Sequence, residues 1–95
     1  MKPLLMFLTV AALCTAASFA AADYAAGVSL YKKQQYAECI RELRGYTEKT
    51  PDPRAYYLMG YASYKLGDFS AAREYFSKTY LLDQNFEPAS LEIGK

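Results

Sequence analysis

Histidine and tryptophan are absent from this chain of 95 residues, and cysteine occurs only twice. Histidine is the commonest general base and metal ligand near neutral pH, so its absence lowers the expectation of an enzyme. The sequence also lacks a glycine-rich phosphate loop, paired cysteines at metal-binding spacing and a Ser/His/Asp set. We therefore predict a protein without a catalytic site, a metal site or a cofactor.

An excess of charge of either sign is missing as well. The net charge is +1 at pH 7, and Lys2 is the only charged residue before Asp23, so the charges of the remaining chain balance. A balanced surface provides no field that would attract nucleic acid or anionic lipid. We expect no nucleic-acid partner.

Residues 1–22 have the pattern of a secretory signal peptide. Lys2 supplies the positive start, residues 4–14 form the apolar centre, and the alanines that end at Ala22 offer small residues for cleavage. Cleavage after Ala22 or after Ala20 predicts an exported protein, in the periplasm or outside the cell. The alternative is a retained inner-membrane anchor, because the uncharged part of this segment is long enough to span a bilayer. Membrane attachment is expected only in that case.

Removal of the signal peptide leaves Cys39 as the only cysteine, so no intramolecular disulfide bond can form. An unpaired cysteine in an exported protein can be a reactive thiol or can form a disulfide bond with a partner. Free cysteine also behaves as a small buried apolar residue. We favour burial, because Cys39 aligns with Ala72 in the repeat described next.

An internal repeat organises the rest of the chain. Gly60 lies among helix formers, where glycine costs about 1 kcal/mol relative to alanine, so a close helix crossing is expected there. A shift of 33 residues places Gly60 on Gly27, and a shift of 34 places Gly94 on Gly60. The first shift also aligns large residues with large ones and small with small: Tyr57 with Tyr24, Tyr64 with Tyr31, Ala72 with Cys39, and Phe76 with Leu43. Such a period is typical of stacked helical repeats.

Apolar spacing and turn residues predict four helices after the signal peptide. Their expected ranges are 24–33, 36–48, 53–66 and 69–82. The Thr50-Pro51-Asp52-Pro53 stretch ends the second helix, and Asp52 is predicted to cap the third with Pro53 at its first position. Gly67 and Asp68 are predicted to end the third helix and cap the fourth. The inward face of the fourth helix is expected to contain Ala72, Tyr75, Phe76, Thr79 and Tyr80.

Two motifs in the second copy resemble the tetratricopeptide repeat. Tyr56-x2-Met59-Gly60-x2-Ser63 is similar to W-x2-L-G-x2-Y, and Ala72-x3-Phe76 is similar to A-x3-F. The first copy matches through Gly27, Cys39, Leu43 and a closing Pro51. Departures from the pattern are Ser63 in an aromatic position, Gln84 in place of the late proline and Asp23 in place of the first tryptophan.

The resemblance implies an all-α fold, a right-handed stack of helix-turn-helix repeats in a small exported bacterial protein. The first copy would cover residues 23–52, the second 53–86, and a partial third copy 87–95. In this family the first helix of each pair lines a concave groove that holds peptides. The family's basic clamp for C-terminal carboxylates is absent, because aromatic or aliphatic residues fill its positions.

The resemblance also implies a partner-binding face, rich in tyrosine, on the first helix of each pair. Its candidate residues are Tyr24, Val28, Tyr31, Arg54, Tyr57, Tyr61, Tyr64 and Lys65. Tyrosine suits this use, since it combines a rigid apolar ring with a hydroxyl group. An equally supported interpretation is that several of these rings pack between helices.

The function predicted from these residues is a non-catalytic adaptor or scaffold that binds a protein or peptide. One alternative is a structural module without a separate ligand, which self-associates through Phe86, Leu91 and Ile93 because two pairs bury little apolar surface. A second alternative is the same module tethered by an uncleaved N-terminal anchor.

Overall fold

The computed structural model describes residues 22–88, which form two antiparallel helical hairpins. The four helices are α1 (Tyr24–Lys32), α2 (Tyr36–Thr47), α3 (Pro53–Lys65) and α4 (Phe69–Leu82). Each predicted range agrees with the structure to within one residue at either end. Residues 1–21 of the predicted signal peptide, and the part of the third copy that contains Gly94, lie outside the described residues. None of the helices within 22–88 is both long and apolar enough to cross a bilayer.

Three of the four helices begin at an aspartate that caps them. The Asp23 carboxylate accepts a hydrogen bond from the Ala26 amide at 2.7 Å, and Asp68 accepts one from the Ala71 amide at 3.1 Å. Asp52 accepts a bond from the amide of Arg54, with proline at the first helical position as predicted. These side chains satisfy amide groups that the helix itself leaves unpaired.

The turns that join the helices of each hairpin have the same backbone geometry. Gln34 and Gly67 both adopt positive φ angles, 63° and 85°. The amide of the next residue in the chain donates a hydrogen bond to the carbonyl five residues before it. Gln35 bonds in this way to Leu30, and Asp68 to Ser63, both at 2.9 Å. This is the six-to-one bond of a Schellman motif, which prefers glycine at the left-handed position. The first copy therefore forms the same turn as the second copy, but with Gln34 at the left-handed position, where glycine is preferred.

Gly27 and Gly60 lie where the two helices of each hairpin cross. A Cβ atom at Gly60 would be 2.5 Å from Cε1 of Phe76, and one at Gly27 would overlap the side chain of Leu43. Each glycine thus lies against the large residue 16 positions later, Leu43 in the first copy and Phe76 in the second. The absence of a side chain lets the helices approach closely, which offsets the conformational cost of glycine.

Helix α3 packs against all three other described helices, whereas the backbone of α4 comes close only to α3. One core cluster spans both copies and contains Tyr31, Cys39, Leu43, Ala55, Leu58, Met59 and Ala62. Ala72 on α4 is also buried. The first hairpin is therefore covered by the second, and the second has no equivalent neighbour within residues 22–88.

The stability of the chain is expected to respond differently to an added methyl group at Gly27 and at Gly60. Gly27→Ala forces a Cβ against Leu43, which is fully buried and has no space to move into. We expect a net loss of about 1–3 kcal/mol in the free energy of unfolding, because overpacking outweighs the better helix propensity of alanine. Gly60→Ala is expected to cost less than half as much, since Phe76 is only partly buried and its ring can shift toward solvent together with the rings it contacts.

Urea unfolding followed by circular dichroism at 222 nm measures both changes. Leu43→Val in the Gly27→Ala background serves as the control, because the smaller side chain should restore part of the lost stability. Equal losses at the two glycines, or a larger loss at Gly60, would contradict these crossing geometries.

Candidate functional site: an aromatic groove

An open groove of about 470 Å³ lies between the two helices of the second hairpin. Five aromatic side chains line it: Tyr57, Tyr61 and Tyr64 from α3, and Phe76 and Tyr80 from α4. We refer to these five residues as the aromatic groove. The helical spacing of the three tyrosines places them on one face of α3, and the spacing of Phe76 and Tyr80 does the same on α4. The two helices thus form the two walls.

Ring contacts connect the walls of the aromatic groove. The Tyr57 ring lies 5.1 Å from that of Phe76, and the Tyr61 ring lies 5.7 Å from Phe76 in an edge-to-face arrangement. At one end Tyr64 contacts Phe69 at 5.4 Å. Such contacts add about 0.5–1.5 kcal/mol each beyond burial, and they hold the rings in fixed relative orientations. The groove is therefore preformed in the free chain.

Phe86 closes the opposite end of the aromatic groove. Its ring lies 5.2 Å from Tyr57 and 6.0 Å from Tyr80, and its side chain is 9% exposed. Phe86 is thus used for packing within the chain and leaves little surface for the predicted self-association contact, while self-association itself stays a prediction. Leu91 and Ile93, the other two residues of that prediction, lie outside the described residues.

Tyr80 corrects the predicted inward face of the fourth helix. Ala72 and Thr79 are buried as expected, but Tyr80 is 39% exposed and lines the groove. Periodicity identified the correct helix face, but it could not show that no neighbour within residues 22–88 covers this part of it. The contribution of Tyr80 to the site was missed for this reason, and that of Phe86 was missed because its position depends on the path of the chain after α4.

The aromatic groove is electrically neutral. No charged side chain is among its five lining residues. Burial, assisted by the neighbouring Tyr61 hydroxyl, raises the pKa of the Tyr57 hydroxyl to about 12, so this group stays protonated at physiological pH. The surface offers apolar rings and neutral hydroxyl groups, a combination enriched in protein interfaces.

The candidate residues of the first copy are mostly used inside the fold. Tyr31 is 8% exposed and packs edge-to-face against Tyr36 at 5.3 Å. Tyr24 is partly buried against Tyr46 and the guanidinium group of Arg54, and Val28 packs against the core cluster. For these residues the structure favours the packing interpretation over the partner-binding one.

Residues at equivalent positions in the two copies differ sharply in exposure. Tyr64, the counterpart of Tyr31, is 54% exposed. Tyr80, the counterpart of the buried Thr47, is also exposed. The difference arises because α3 covers the first hairpin, whereas nothing within residues 22–88 covers the second in the same way. The aromatic groove is thus the open stacking edge of the repeat.

Arg54 is a candidate of the predicted partner-binding face, but the structure pairs it within the chain. Its guanidinium group binds both carboxylate oxygens of Asp52, at 2.7 and 3.1 Å, and stacks 4.1 Å above the ring of Tyr24. The hydroxyl of Tyr46 donates a third side-chain hydrogen bond to Asp52 at 2.7 Å. This network joins the two copies at their connecting loop. Lys65, the other basic candidate, lies exposed in the last turn of α3.

Cys39 is fully buried in the core cluster. Desolvation raises the pKa of its thiol to about 11, so the nucleophilic thiolate is scarce at neutral pH. The geometry therefore favours the packing role over a reactive thiol. Among residues 22–88 no group of three potential metal-ligating side chains lies together.

Comparison with known families gives a match for the second hairpin. Residues 53–86 match the family model of the tetratricopeptide repeat. The four helices and this match together confirm the predicted fold class, an all-α helical repeat of the tetratricopeptide type. Repeats of this type generally mediate protein–protein interaction through their extended surfaces. No curated protein and no solved structure matches the chain.

The network at Asp52 predicts an acid-sensitive contribution to stability. Burial by itself would raise the pKa of this carboxyl group, but hydrogen bonds from Arg54 and Tyr46 outweigh it and hold the pKa below its usual 3.8. The contribution is therefore complete above about pH 4 and is lost as the pH falls through the folded-state pKa. We expect Asp52→Asn to cost about 1–3 kcal/mol at pH 7 and progressively less below pH 4.

Urea unfolding between pH 2 and pH 7 tests this expectation. Asp68→Asn is the matched control, because asparagine caps a helix about as well as aspartate and no ion pair is lost. A cost for Asp52→Asn that does not change with pH would contradict the charged network.

Proposed function

We propose that the chain is a non-catalytic protein–protein interaction module, an adaptor or scaffold that binds a partner segment in the aromatic groove. The observation that carries this proposal is the exposure of the groove: Tyr64 is 54% exposed, although its counterpart Tyr31 is buried. Exposure of several contacting aromatic rings to water is unfavourable in free energy. Exposed apolar patches of this kind mark interaction sites.

The chemistry of the groove supports a protein ligand over a charged small molecule. Neutral rings give apolar area, and the hydroxyl groups of the four tyrosines can bond polar groups of a peptide. Rigid aromatic side chains lose little conformational entropy on binding, so they are efficient contact residues. The proposed site is therefore centred on the second copy and not spread equally over both.

We also propose that this module is exported to the periplasm or the extracellular space. The proposal rests on the signal-peptide pattern of residues 1–22. The amide nitrogen of Asp23 lies 3.3 Å from a carboxylate oxygen of Glu42. Cleavage after Ala22 would convert that amide into an ammonium group beside an acidic partner.

Mass spectrometry of the chain recovered from its native host tests the export proposal. We expect the first residue to be Asp23, or Ala21 if cleavage follows Ala20. Recovery of a membrane-bound chain that retains Met1 would support the tethered alternative instead.

Substitution of one exposed tyrosine on each wall tests the binding role. We expect Tyr64→Ser combined with Tyr80→Ser to weaken partner retention by roughly 30-fold, because loss of interface aromatic anchors costs about 2 kcal/mol or more. The measurement is affinity capture from a cell-envelope extract, quantified by mass spectrometry for proteins that the unaltered chain retains.

The matched control is Leu81→Ser, which removes an apolar side chain that is 81% exposed on α4 but outside the groove. It should leave partner retention unchanged. Thermal melting shows whether each variant is folded. Equal retention by the groove variant and the control would contradict the proposed site.

A further inference from the structure

Helix α3 packs on the open side of the first hairpin and shows which side chains a helix uses there. Ala55, Leu58, Met59 and Ala62 have no exposed surface, and their spacing is i, i+3, i+4 and i+7. These four residues form one stripe along α3, with two large aliphatic residues between two alanines. We call them the anchor stripe.

The surface that receives the anchor stripe recurs in the second copy. Tyr31, Cys39 and Leu43 of the first hairpin share one core cluster with the stripe. Their counterparts are Tyr64, Ala72 and Phe76, and two of these counterparts line the aromatic groove. The groove is thus the second copy's version of an interface already present within the chain.

We propose that the aromatic groove receives an amphipathic helix of a partner protein, seated as α3 is seated on the first hairpin. This inference rests on the proposed function and specifies the partner class. The partner helix presents aliphatic residues between small ones at i, i+3, i+4 and i+7, the pattern by which helices dock into grooves. Its groove-facing side is uncharged, because the lining is neutral.

A second copy stacked head-to-tail through α1 fits the groove poorly. The positions of α1 that correspond to Leu58 and Met59 are Ala25 and Ala26. Helix α1 therefore lacks the two large anchors and would leave the groove unfilled. Cavities of this kind are costly in a packed interface.

An extended segment also suits the groove less well than a helix does. A helix satisfies its own backbone hydrogen bonds, whereas an extended chain needs partners for its amide groups. The groove is built from side chains of two helices, α3 and α4, and offers rings and hydroxyl groups with no exposed strand edge. A helix has already formed its backbone hydrogen bonds, so it loses the least free energy of desolvation when it enters such a groove.

The chain's own α3 supplies a probe for this proposal. A fluorescein-labelled peptide of residues 53–66 carries the anchor stripe, and its binding to the full chain is followed by fluorescence anisotropy. We expect saturable binding and a gain of helical signal at 222 nm when the peptide is mixed with the protein. The same peptide with Leu58→Asp and Met59→Asp should bind at least ~10-fold more weakly.

Protein variants locate the binding. Tyr64→Ser with Tyr80→Ser should weaken the peptide at least ~10-fold, and Leu81→Ser should leave it unchanged. A scrambled peptide of identical composition controls for general apolar adhesion. Equal binding of the scrambled or doubly charged peptide would overturn the proposal.

Four further results would overturn it in different ways. If a proline-rich extended peptide binds more tightly than the α3 peptide, the groove remains a protein-binding site but its ligand is not a helix. Peptide binding only by a chain that ends at Pro88 would assign the groove to residues 89–95. Self-association of the full chain that Tyr64→Ser abolishes would assign it to a second copy. If no peptide binds, a helical partner is excluded. Affinity capture of partners then still tests the proposed function, because it does not depend on the peptides.

Discussion

Helix α3 packs against the first hairpin, and this contact holds the two copies together. A two-helix hairpin has apolar surface on more than its inner face, and a second layer must cover it. In the first copy α3 provides that layer, with Leu58 and Met59 fully buried. The same requirement applies to the second copy, where residues 22–88 provide no such layer. The aromatic groove is the consequence.

Three of the residues that differ between the copies adapt an internal edge to an external surface. Phe76 replaces Leu43, Tyr61 replaces Val28, and Tyr80 replaces a threonine. Aromatic rings with hydroxyl groups tolerate water at one end and apolar contact at the other, which purely aliphatic residues do not. Ring contacts also fix their orientation without help from a partner. A surface of this kind remains ordered in the free chain and retains apolar area for binding.

Local signals made most of the fold predictable. Capping aspartates and prolines fixed the helix boundaries, and the aligned pair Gly27 and Gly60 indicated the crossings, because each of these features acts through neighbouring residues or one close contact. Exposure was not predictable in the same way. Tyr31 and Tyr64 are the same residue at the same repeat position, so only the presence or absence of a covering helix distinguishes them. The ion pair of Arg54 with Asp52 likewise depends on loop geometry that residue spacing does not encode.

Chemical nitration of tyrosines, mapped by mass spectrometry, shows directly whether α3 covers the edge of the first hairpin while the equivalent edge of the second stays open. The reagent tetranitromethane modifies accessible tyrosine rings, and Tyr31 and Tyr64 provide an internal comparison at equivalent positions. We expect rapid modification of Tyr64 and protection of Tyr31 in the folded chain, with both modified after unfolding. Equal rates at the two tyrosines under native conditions would contradict the asymmetric stack.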